Sequence, residues 1–273
     1  MLAAPELQEI AFQIRAAQIE VQQIEPFTSR IPAFDLPSAY AVAQLNHNAR
    51  LSEGAVPVGR KIGFTNPDMW AIYGVQEPIW AYVYDQTVTR LPMTGGTCSV
   101  GRFTEPMIEP EIVFHFRSAP PVGADLSALL ASIDWVAHAF EIVQSHYPGW
   151  KFQAADTVAD CSLHGTLLLG KPVPIDQLAS DPVAALESFS VELSCNGEVR
   201  EVGNGANVLG SPLMALVHLI QVLSKQPECL PLQANEIVTT GTITTAQAVR
   251  SGESWQTKVQ GIALPNLAVD FLP

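Results

Sequence analysis

Apolar residues recur at helical spacing in the first part of the chain. Those three or four positions apart are Leu7, Ile10, Ile14, Ala17 and Val21. This spacing predicts one buried helix face within residues 5–24, and a second helix is predicted over 37–53, ending before Gly54. A loop punctuated by proline separates the two helices. The pattern therefore indicates a helical N-terminal region over 1–55, followed by a second unit over 56–273.

After Gly54 the pattern changes to short apolar runs that are typical of β-strands. Strands are predicted over 56–65, 80–89, 107–116, 135–143, 165–173, 188–203, 236–245 and 259–271. Short helices are predicted over 66–75 and 125–133, and a longer one over 210–226 with Ser211 as N-cap and Pro212 in its first turn. Residues 92–103 are predicted as a loop, and 150–165 as a loop lining a site. Asn196-Gly197 is the signal of a hairpin turn.

This order of elements predicts an α+β fold with a β-rich, mixed and mostly antiparallel sheet core and a helical N-terminal region. Few helices separate the strands, which argues against a doubly wound α/β sheet. The glycine patterns of dinucleotide-binding and phosphate-binding loops are absent from the sequence.

Composition restricts the possible functions. Of 273 residues, 48% are hydrophobic and 15% charged, which predicts a large buried core, and the net charge of −13 disfavours nucleic acid as a partner. We expect no apolar run near the roughly 20 residues that span a bilayer, and no signal peptide, so the prediction is a soluble, cytoplasmic protein. The four cysteines lack metal-site spacing and are interpreted as ordinary buried thiols.

The predicted strand "MIEPEIVFHF", 107–116, carries two carboxylates on one face, because Glu109 and Glu111 are two residues apart. Burial of both would cost hydration and bring repulsion. A third acid, Glu141, lies within another apolar strand. A solvated strand face is the ordinary alternative, but a hard divalent cation with oxygen ligands would explain all three acids.

The histidines do not form a second metal-site pattern. The sequence has no HxH or HExxH spacing and no nucleophile elbow of a serine hydrolase. His115 has the opposite strand parity to Glu109 and Glu111 and is expected to face away from them. All six histidines are interpreted as structural or surface residues: His47, His115, His138, His146, His164 and His218.

Five fragments occur in an order that resembles the hydratase/decarboxylase branch of the fumarylacetoacetate hydrolase superfamily. They are "GRKIGFTN", "EPEIVFHF", "FEIVQS", "WKFQAADTVAD" and "EIVTTGTITTA", and "NGANVLGSPLMALVHLIQVL" matches a further segment. The resemblance covers the chain from about residue 5 to its end. It implies a β-rich core, Mg²⁺ or Mn²⁺ as cofactor, homo-oligomers, and 2-oxo or 2-hydroxy-dienoate substrates from the meta-cleavage of aromatic compounds.

The resemblance also implies roles for individual residues. Metal ligands fall on Glu109, Glu111 and Glu141, and an active-site lysine that also binds substrate falls on Lys61. Strand alternation lets Lys61 face inward and Arg60 outward into solvent, and a surface position of Lys61 is the alternative interpretation. Substrate-binding positions fall on Asp156, Ser162, Gly241 and Thr242.

Two positions depart from the pattern of the hydratases in this branch. Ile79 stands where they usually carry an acid, and the nearest acid is Asp85, which is interpreted as a possible catalytic replacement. Cys161 stands where many relatives carry asparagine. The aromatic residues Trp70, Trp80, Tyr82 and Tyr84 are expected either to shape the distal pocket or to pack in the core.

The sequence thus predicts a metal-dependent lyase, with hydration preferred over decarboxylation. An acylpyruvate hydrolase and a non-catalytic member of the fold are the other readings. Expected partners are a small 2-oxo acid, further copies of the chain and a pathway enzyme, with neither nucleic acid nor membrane.

Overall fold

The structure is a computed structural model that describes residues 2–67, 70, 75–226 and 229–273. Its helices are α1 Ala4–Glu20, α2 Phe27–Arg30, α3 Leu36–Ser52, α4 Leu126–Ala131, α5 Ala154–Ala159, α6 Pro182–Ser188 and α7 Pro212–Ser224. The helix predicted over 66–75 falls largely outside the described residues.

The strands form two sheets. In chain order they are β1 Pro57–Gly63, β2 Ile79–Tyr84, β3 Val88–Arg90, β4 Gly96–Ser99, β5 Met107–Phe116, β6 Ile133–Val143, β7 His164–Leu169, β8 Val173–Pro174, β9 Ser190–Cys195, β10 Glu198–Asn204, β11 Ile237–Thr242, β12 Gln247–Ala248, β13 Ser254–Gln260 and β14 Ala268–Leu272. The larger sheet has the order β2-β1-β11-β5-β6-β7-β3, with β12 beside β5 and β8 beside β6. The smaller sheet has the order β10-β9-β13-β14-β4.

Both sheets are mixed. Among the described strands, β1 runs parallel to β11, β3 to β7 and β4 to β14, and the other pairs are antiparallel. The predicted fold class, a β-rich mixed-sheet core with a helical N-terminal region, is confirmed.

Short sequence patterns determine where two helices begin and where one hairpin turns. Asp125 accepts the amide N–H of Ala128 at 2.8 Å at the start of α4, and Ser211 accepts the amide N–H of Leu213 at 3.3 Å at the start of α7. Asn196 and Gly197 both have positive φ, 52° and 82°, and join β9 to β10 as a tight hairpin.

Helix α7 packs into the main core against one face of the larger sheet, where Leu213, Leu216 and Leu219 meet Ile112 and Phe114. By length and composition, the helical stretch 205–224 could cross a bilayer: its mean hydropathy is 1.6, and 56% of the apolar window is buried inside the protein. The expectation that no apolar run approaches that length was therefore wrong. The burial is that of a core helix.

The N-terminal helices share a second apolar cluster with later parts of the chain. Leu7, Ile10 and Ile14 of α1 pack in one cluster with Phe152 and with Val158 of α5. A third cluster, which includes Phe140 and Trp255, fills the space between the two sheets. Residues 150–163 are thus held between the helical region and the larger sheet, where they can cover one face of it.

Several local predictions need correction. The strand predicted over 80–89 is interrupted by the 3₁₀ helix Asp85–Thr87, and the one predicted over 259–271 is divided between β13, which ends at Gln260, and β14, which begins at Ala268. The proline-rich loop after α1 contains the short helix α2, residues 92–103 contain β4, and 150–165 contains α5 followed by a 3₁₀ turn, Cys161–Leu163. Helix α6 was not predicted, although Asp181 caps it and Pro182 opens it. These elements are short, so tertiary contacts outweigh their weak local pattern.

Candidate metal centre and its cavity

The register of two antiparallel strands brings the three acids together. Glu109 of β5 pairs directly with Glu141 of β6, and Glu111 lies two residues further along β5 on the same face. The alternate residues Ile108 and Ile112 face the apolar core. The i, i+2 spacing in the sequence therefore has the predicted consequence in the structure.

The three carboxylates form a cluster that lacks protein donors on two of its oxygens. One oxygen from each of Glu109, Glu111 and Glu141 lies within 4.8 Å of the others. Among the described residues, Oε1 of Glu111 and Oε2 of Glu141 have no hydrogen-bond partner, although both side chains are 0% exposed. Buried carboxylate oxygens without partners are costly, and a divalent cation with oxygen ligands fits them.

The other oxygen of Glu111 is held by strand β11. Its Oε2 accepts the hydroxyl of Thr239 and, at 2.9 Å, the amide N–H of Gly241. The register of β11 and β5 shifts between Thr239 and Thr242, and Gly241 has a φ of +94°. A Cβ at Gly241 would lie 2.0 Å from Oγ1 of Thr65, so both backbone conformation and space require glycine here.

Lys61 lies beside the cluster. It is 3% exposed, and its Nζ lies 2.8 Å from Oε1 of Glu141. Arg60, expected to face outward, is 1% exposed: its guanidinium stacks on Tyr82 and pairs with Glu236 at 2.9 Å. The strand alternates as predicted, but both of its faces are covered.

The acids and the lysine perturb one another. Burial raises the pKa of Glu109 to about 7, against the opposing charge of Lys61. Burial and the charges of Glu141 and Glu109 raise the pKa of Glu111 well above its usual range. Burial also opposes ionisation of Glu141, but Lys61 and His164 outweigh it and lower that pKa to about 2. Burial would lower the pKa of Lys61, yet the three carboxylates raise it. Lys61 and His164 therefore favour the ionised form of Glu141 over that of its two neighbours.

A cavity of about 340 Å³ opens beside the cluster. Its polar lining residues are Lys61, Thr65, Asn66, Glu109, Thr157, Ser162, Thr242, Thr244 and Thr245, with Gly63 and Gly241 beside them. The hydroxyls of Ser162 and Thr242 are buried and have no hydrogen-bond partner among the described residues. The apolar residues of the lining are Ile62, Phe64, Ile79, Met107, Val143, Trp150, Phe152, Leu163 and Ala246. The cavity thus offers a ligand both polar groups and apolar surface.

Two acids expected at the site lie elsewhere. Asp85 is exposed at the end of β2, where its carboxylate accepts the amide N–H of Val56 at 2.9 Å. Asp156 is buried, but it accepts the amide N–H groups of Thr28 and Gln153 at 3.1 and 3.0 Å. These carboxylates hold backbone together and do not line the cavity.

The aromatic residues proposed for the distal pocket also pack elsewhere. Trp80 and Tyr82 flank the guanidinium of Arg60, and Tyr84 contacts His47. The indole N–H of Trp70 donates to the carbonyl of Phe64. None of the four lines the cavity in the described part of the chain, and their packing interpretation is the one that matches the structure.

Sequence analysis missed one residue of the site. His164 was interpreted as structural or surface, but its Nδ1 lies 2.6 Å from Oε1 of Glu141. Spacing motifs could not find this contact, because the two residues lie on neighbouring strands. The available signal was the position of His164 within the segment 150–165, which was expected to line the site.

None of the cysteines forms a disulfide in the described part of the chain, and two of them, Cys161 and Cys229, are only half-buried. Cys161 opens a run of positive φ angles, 52°, 50° and 62°, that continues through Ser162 and Leu163. This run presents Ser162 and Leu163 to the cavity.

The model of the fumarylacetoacetate (FAA) hydrolase C-terminal family matches residues 77–267, a span that includes the three glutamates. The chain belongs to this fumarylacetoacetate hydrolase family. "2-keto-4-pentenoate hydratase 1" from Dechloromonas aromatica (strain RCB) is 31% identical over 251 residues, covering 91% of each chain. "4-oxalocrotonate decarboxylase" from Pseudomonas putida is 29% identical, covering 93% of this chain and 92% of the relative.

A solved fumarylacetoacetate hydrolase family structure superposes on the whole chain. The 4-oxalocrotonate decarboxylase from Pseudomonas putida G7, complexed with magnesium and adipate, gives a TM-score of 0.90 at 27% identity. The match covers 100% of this chain and 99% of the other. That enzyme was also solved with calcium and acetate, so it accommodates hard divalent cations together with carboxylates.

Proposed function

We propose that this protein is a metal-dependent lyase acting on 2-oxo or 2-hydroxy-dienoates, with hydration as its leading reaction. The proposal is carried by one observation: within the described part of the chain, Glu111 and Glu141 each present a buried oxygen without a protein partner, next to Glu109. Mg²⁺ is the proposed cation, with Mn²⁺ as the alternative, because hard ions prefer carboxylate oxygens.

A bound divalent cation supplies Lewis-acid stabilisation of negative charge on the C2 oxygen of a 2-oxo acid. The protein itself supplies the geometry around it. Glu109, Glu111 and Glu141 are the proposed ligands. Lys61 holds Oε1 of Glu141 and brings a positive charge to the edge of the cavity, where it can stabilise or protonate an anion that develops on the substrate.

The carboxylate head of the substrate is the proposed partner of the two unpaired hydroxyls. Ser162 and Thr242 each carry a buried Oγ atom that can donate to a ligand oxygen, and both line the cavity. Gly241 lines the same cavity. Its amide N–H already donates to Glu111, which holds β11 close to the three carboxylates. This arrangement would fix the reactive end of the substrate and leave its tail in the apolar part of the cavity.

The cavity lining favours hydration of a monoacid. Of the lining residues that the structure describes, Lys61 alone is cationic, and it is already paired with Glu141. A second carboxylate of the substrate would meet neutral hydroxyls such as Thr244 and Thr245, or apolar side chains, and would lose hydration without gaining an opposite charge. An uncharged dienoate tail meets no such cost.

Decarboxylation is the second candidate function. The superposition of the Pseudomonas putida G7 decarboxylase over the whole chain favours it. No observation on this chain favours acylpyruvate hydrolysis or a non-catalytic role.

Two substrates separate these candidates. The protein with Mg²⁺ is incubated with 2-hydroxypenta-2,4-dienoate or with 4-oxalocrotonate, while ultraviolet absorbance and released CO₂ are recorded. Decay of the monoacid without CO₂ and with formation of a 4-hydroxy-2-oxo acid identifies a hydratase, whereas decay without that product identifies a tautomerase. Stoichiometric CO₂ from the diacid identifies a decarboxylase. Steady signals with both substrates, unchanged by EDTA or by Glu111→Gln, would contradict the lyase assignment.

We further propose a cytoplasmic homo-oligomer that works in aromatic catabolism, in which residues 56–273 carry the chemistry and 1–55 pack over one side. The described cavity-lining residues all fall between 61 and 246, which supports that division. Association with a pathway enzyme is proposed from the family resemblance alone. Light scattering on the purified protein measures the oligomer size.

A further inference from the structure

His164 is a buried residue whose two ring nitrogens both have protein partners. Its side chain is 3% exposed. Its Nδ1 lies 2.6 Å from Oε1 of Glu141, and its Nε2 lies 2.9 Å from Oγ1 of Thr87. The hydroxyl of Thr87 is in turn anchored by the carbonyl of Tyr84 at 3.0 Å. The imidazole is therefore fixed at both ends, with one end directed at a proposed metal ligand.

The contact with His164 also makes the two carboxylate oxygens of Glu141 different from each other. A carboxylate oxygen accepts hydrogen bonds, so Nδ1 of His164 donates. Oε1 of Glu141 receives this donor and the ammonium of Lys61 together. Oε2 receives no donor from the described residues. The asymmetry leaves one oxygen of the carboxylate occupied by protein and the other available.

A second cavity lies beside His164. Its volume is about 180 Å³, and its lining includes His164, Arg50, Gln144 and Thr166 but none of the three glutamates. Glu141 itself has an exposure of 0%. Loss of the ring would admit water to Oε1 and free the carboxylate to rotate.

We propose that His164 is a positioning residue that locks Glu141 with Oε2 free for the divalent cation. The inference rests on the proposed metal site and assigns a role to a residue outside the ligand set. Partners that orient a ligand in this way tune metal affinity, and their loss typically costs about 10–100-fold in affinity or activity. His164 does not touch the reacting atoms, because Glu141 lies between them.

The experiment measures metal affinity directly, by isothermal titration of Mg²⁺ and Mn²⁺ into the metal-free full-length protein. The variant His164→Leu fills the space without a donor, and His164→Asn keeps an N–H near the position of Nδ1. His218→Leu on α7 is the matched control for loss of a histidine. Thr87→Val removes the hydroxyl that supports Nε2, together with its hydrogen bond to the carbonyl of Tyr84, and serves if His164→Leu fails to fold by circular dichroism.

We expect His164→Leu to weaken metal binding by about 10–100-fold, His164→Asn to restore most of the affinity, and Thr87→Val to fall between them. We also expect saturating Mg²⁺ to recover much of the turnover of His164→Leu, because the chemistry does not use the ring. Equal affinity of wild type and His164→Leu would overturn the positioning role while leaving the metal site intact. Absence of metal binding in the wild type would overturn both proposals.

Discussion

Nζ of Lys61 and Oε1 of Glu141 lie 2.8 Å apart at the centre of the larger sheet, where neither side chain reaches bulk solvent. The pair supports two functions, because the ammonium neutralises part of a crowded carboxylate cluster and also faces the cavity. Disrupting it should therefore affect folding and turnover together.

Replacement of Lys61 by methionine should destabilise the metal-free protein by about 3–5 kcal/mol, because the buried charge of Glu141 loses its ionic partner. Mg²⁺ should offset part of this loss, since a cation would neutralise the same carboxylate. Urea denaturation with and without Mg²⁺ measures both effects. The exposed Lys171→Met is the control and should change stability by less than about 0.5 kcal/mol. An equal response of the two variants would mean that Lys61 contributes no buried charge pair.

Mg²⁺ should stabilise the wild type and not the ligand variants. At a concentration 100 times its Kd, a ligand that binds only the native state adds about 2.7 kcal/mol. Glu109→Gln and Glu111→Gln should lose this stabilisation and at least about 100-fold in turnover, because two carboxylates hold the ion poorly. Thermal unfolding with EDTA or Mg²⁺ measures the difference, and the exposed Glu187→Gln should behave as wild type. A full Mg²⁺ response in Glu111→Gln would place the ion elsewhere.

Gly241→Ala should destabilise the protein more than Gly252→Ala does. Both glycines have positive φ, +94° and +86°, so both variants pay about 1–2 kcal/mol for a left-handed alanine. Only Gly241 would also bring a Cβ to within 2.0 Å of Thr65, whereas nothing lies within 4 Å of a Cβ at Gly252. Chemical denaturation of the two variants isolates the steric part. Equal losses would indicate that Thr65 moves away at no cost.

The buried pair of His146 and Asp160 should make stability depend on pH near neutrality. Burial alone would lower the pKa of His146, but Asp160, 2.7 Å from its Nδ1, raises it above the usual value. A raised folded-state pKa contributes stability that is complete below about pH 6.5 and is lost as pH rises through the folded value. Denaturation midpoints recorded from pH 5.5 to 9 should fall over that window and fall less in Asp160→Asn. An unchanged slope in that variant would assign the pH dependence to other groups.

Much of the candidate site could be predicted from the sequence, because side chains alternate between the two faces of a strand. Glu109 and Glu111 could be placed on one face of 107–116 because alternation in a strand is rigid, and β5 has those bounds in the structure. The pairing with Glu141 followed from its similar surroundings and from the family resemblance. Alternation with a period of two residues shows which side chains share a face of a strand. Here it was enough to predict that the acids lie close together.

The alternation of side chains along a strand does not show which other parts of the protein cover each of its faces. Arg60 was expected in solvent, but the aromatic residues of β2 and Glu236 enclose it. Asp85 is the acid nearest to the position where the hydratases carry one, but in the structure its carboxylate accepts the amide N–H of Val56. His164 was overlooked for the same reason, since its partner is 23 residues away and is met only after β6 and β7 pair. Such contacts depend on tertiary register, which local sequence does not specify.

Because the proposed ligands project from the paired strands β5 and β6, the hydrogen-bond ladder between those strands sets the spacing of their oxygens. A change that loosens the ladder, even one deep in the apolar core beneath it, would widen the coordination sphere before the protein unfolds. The rate at which a chelator removes the ion would then measure the integrity of the sheet. It would detect distant packing defects that leave every ligand residue in place.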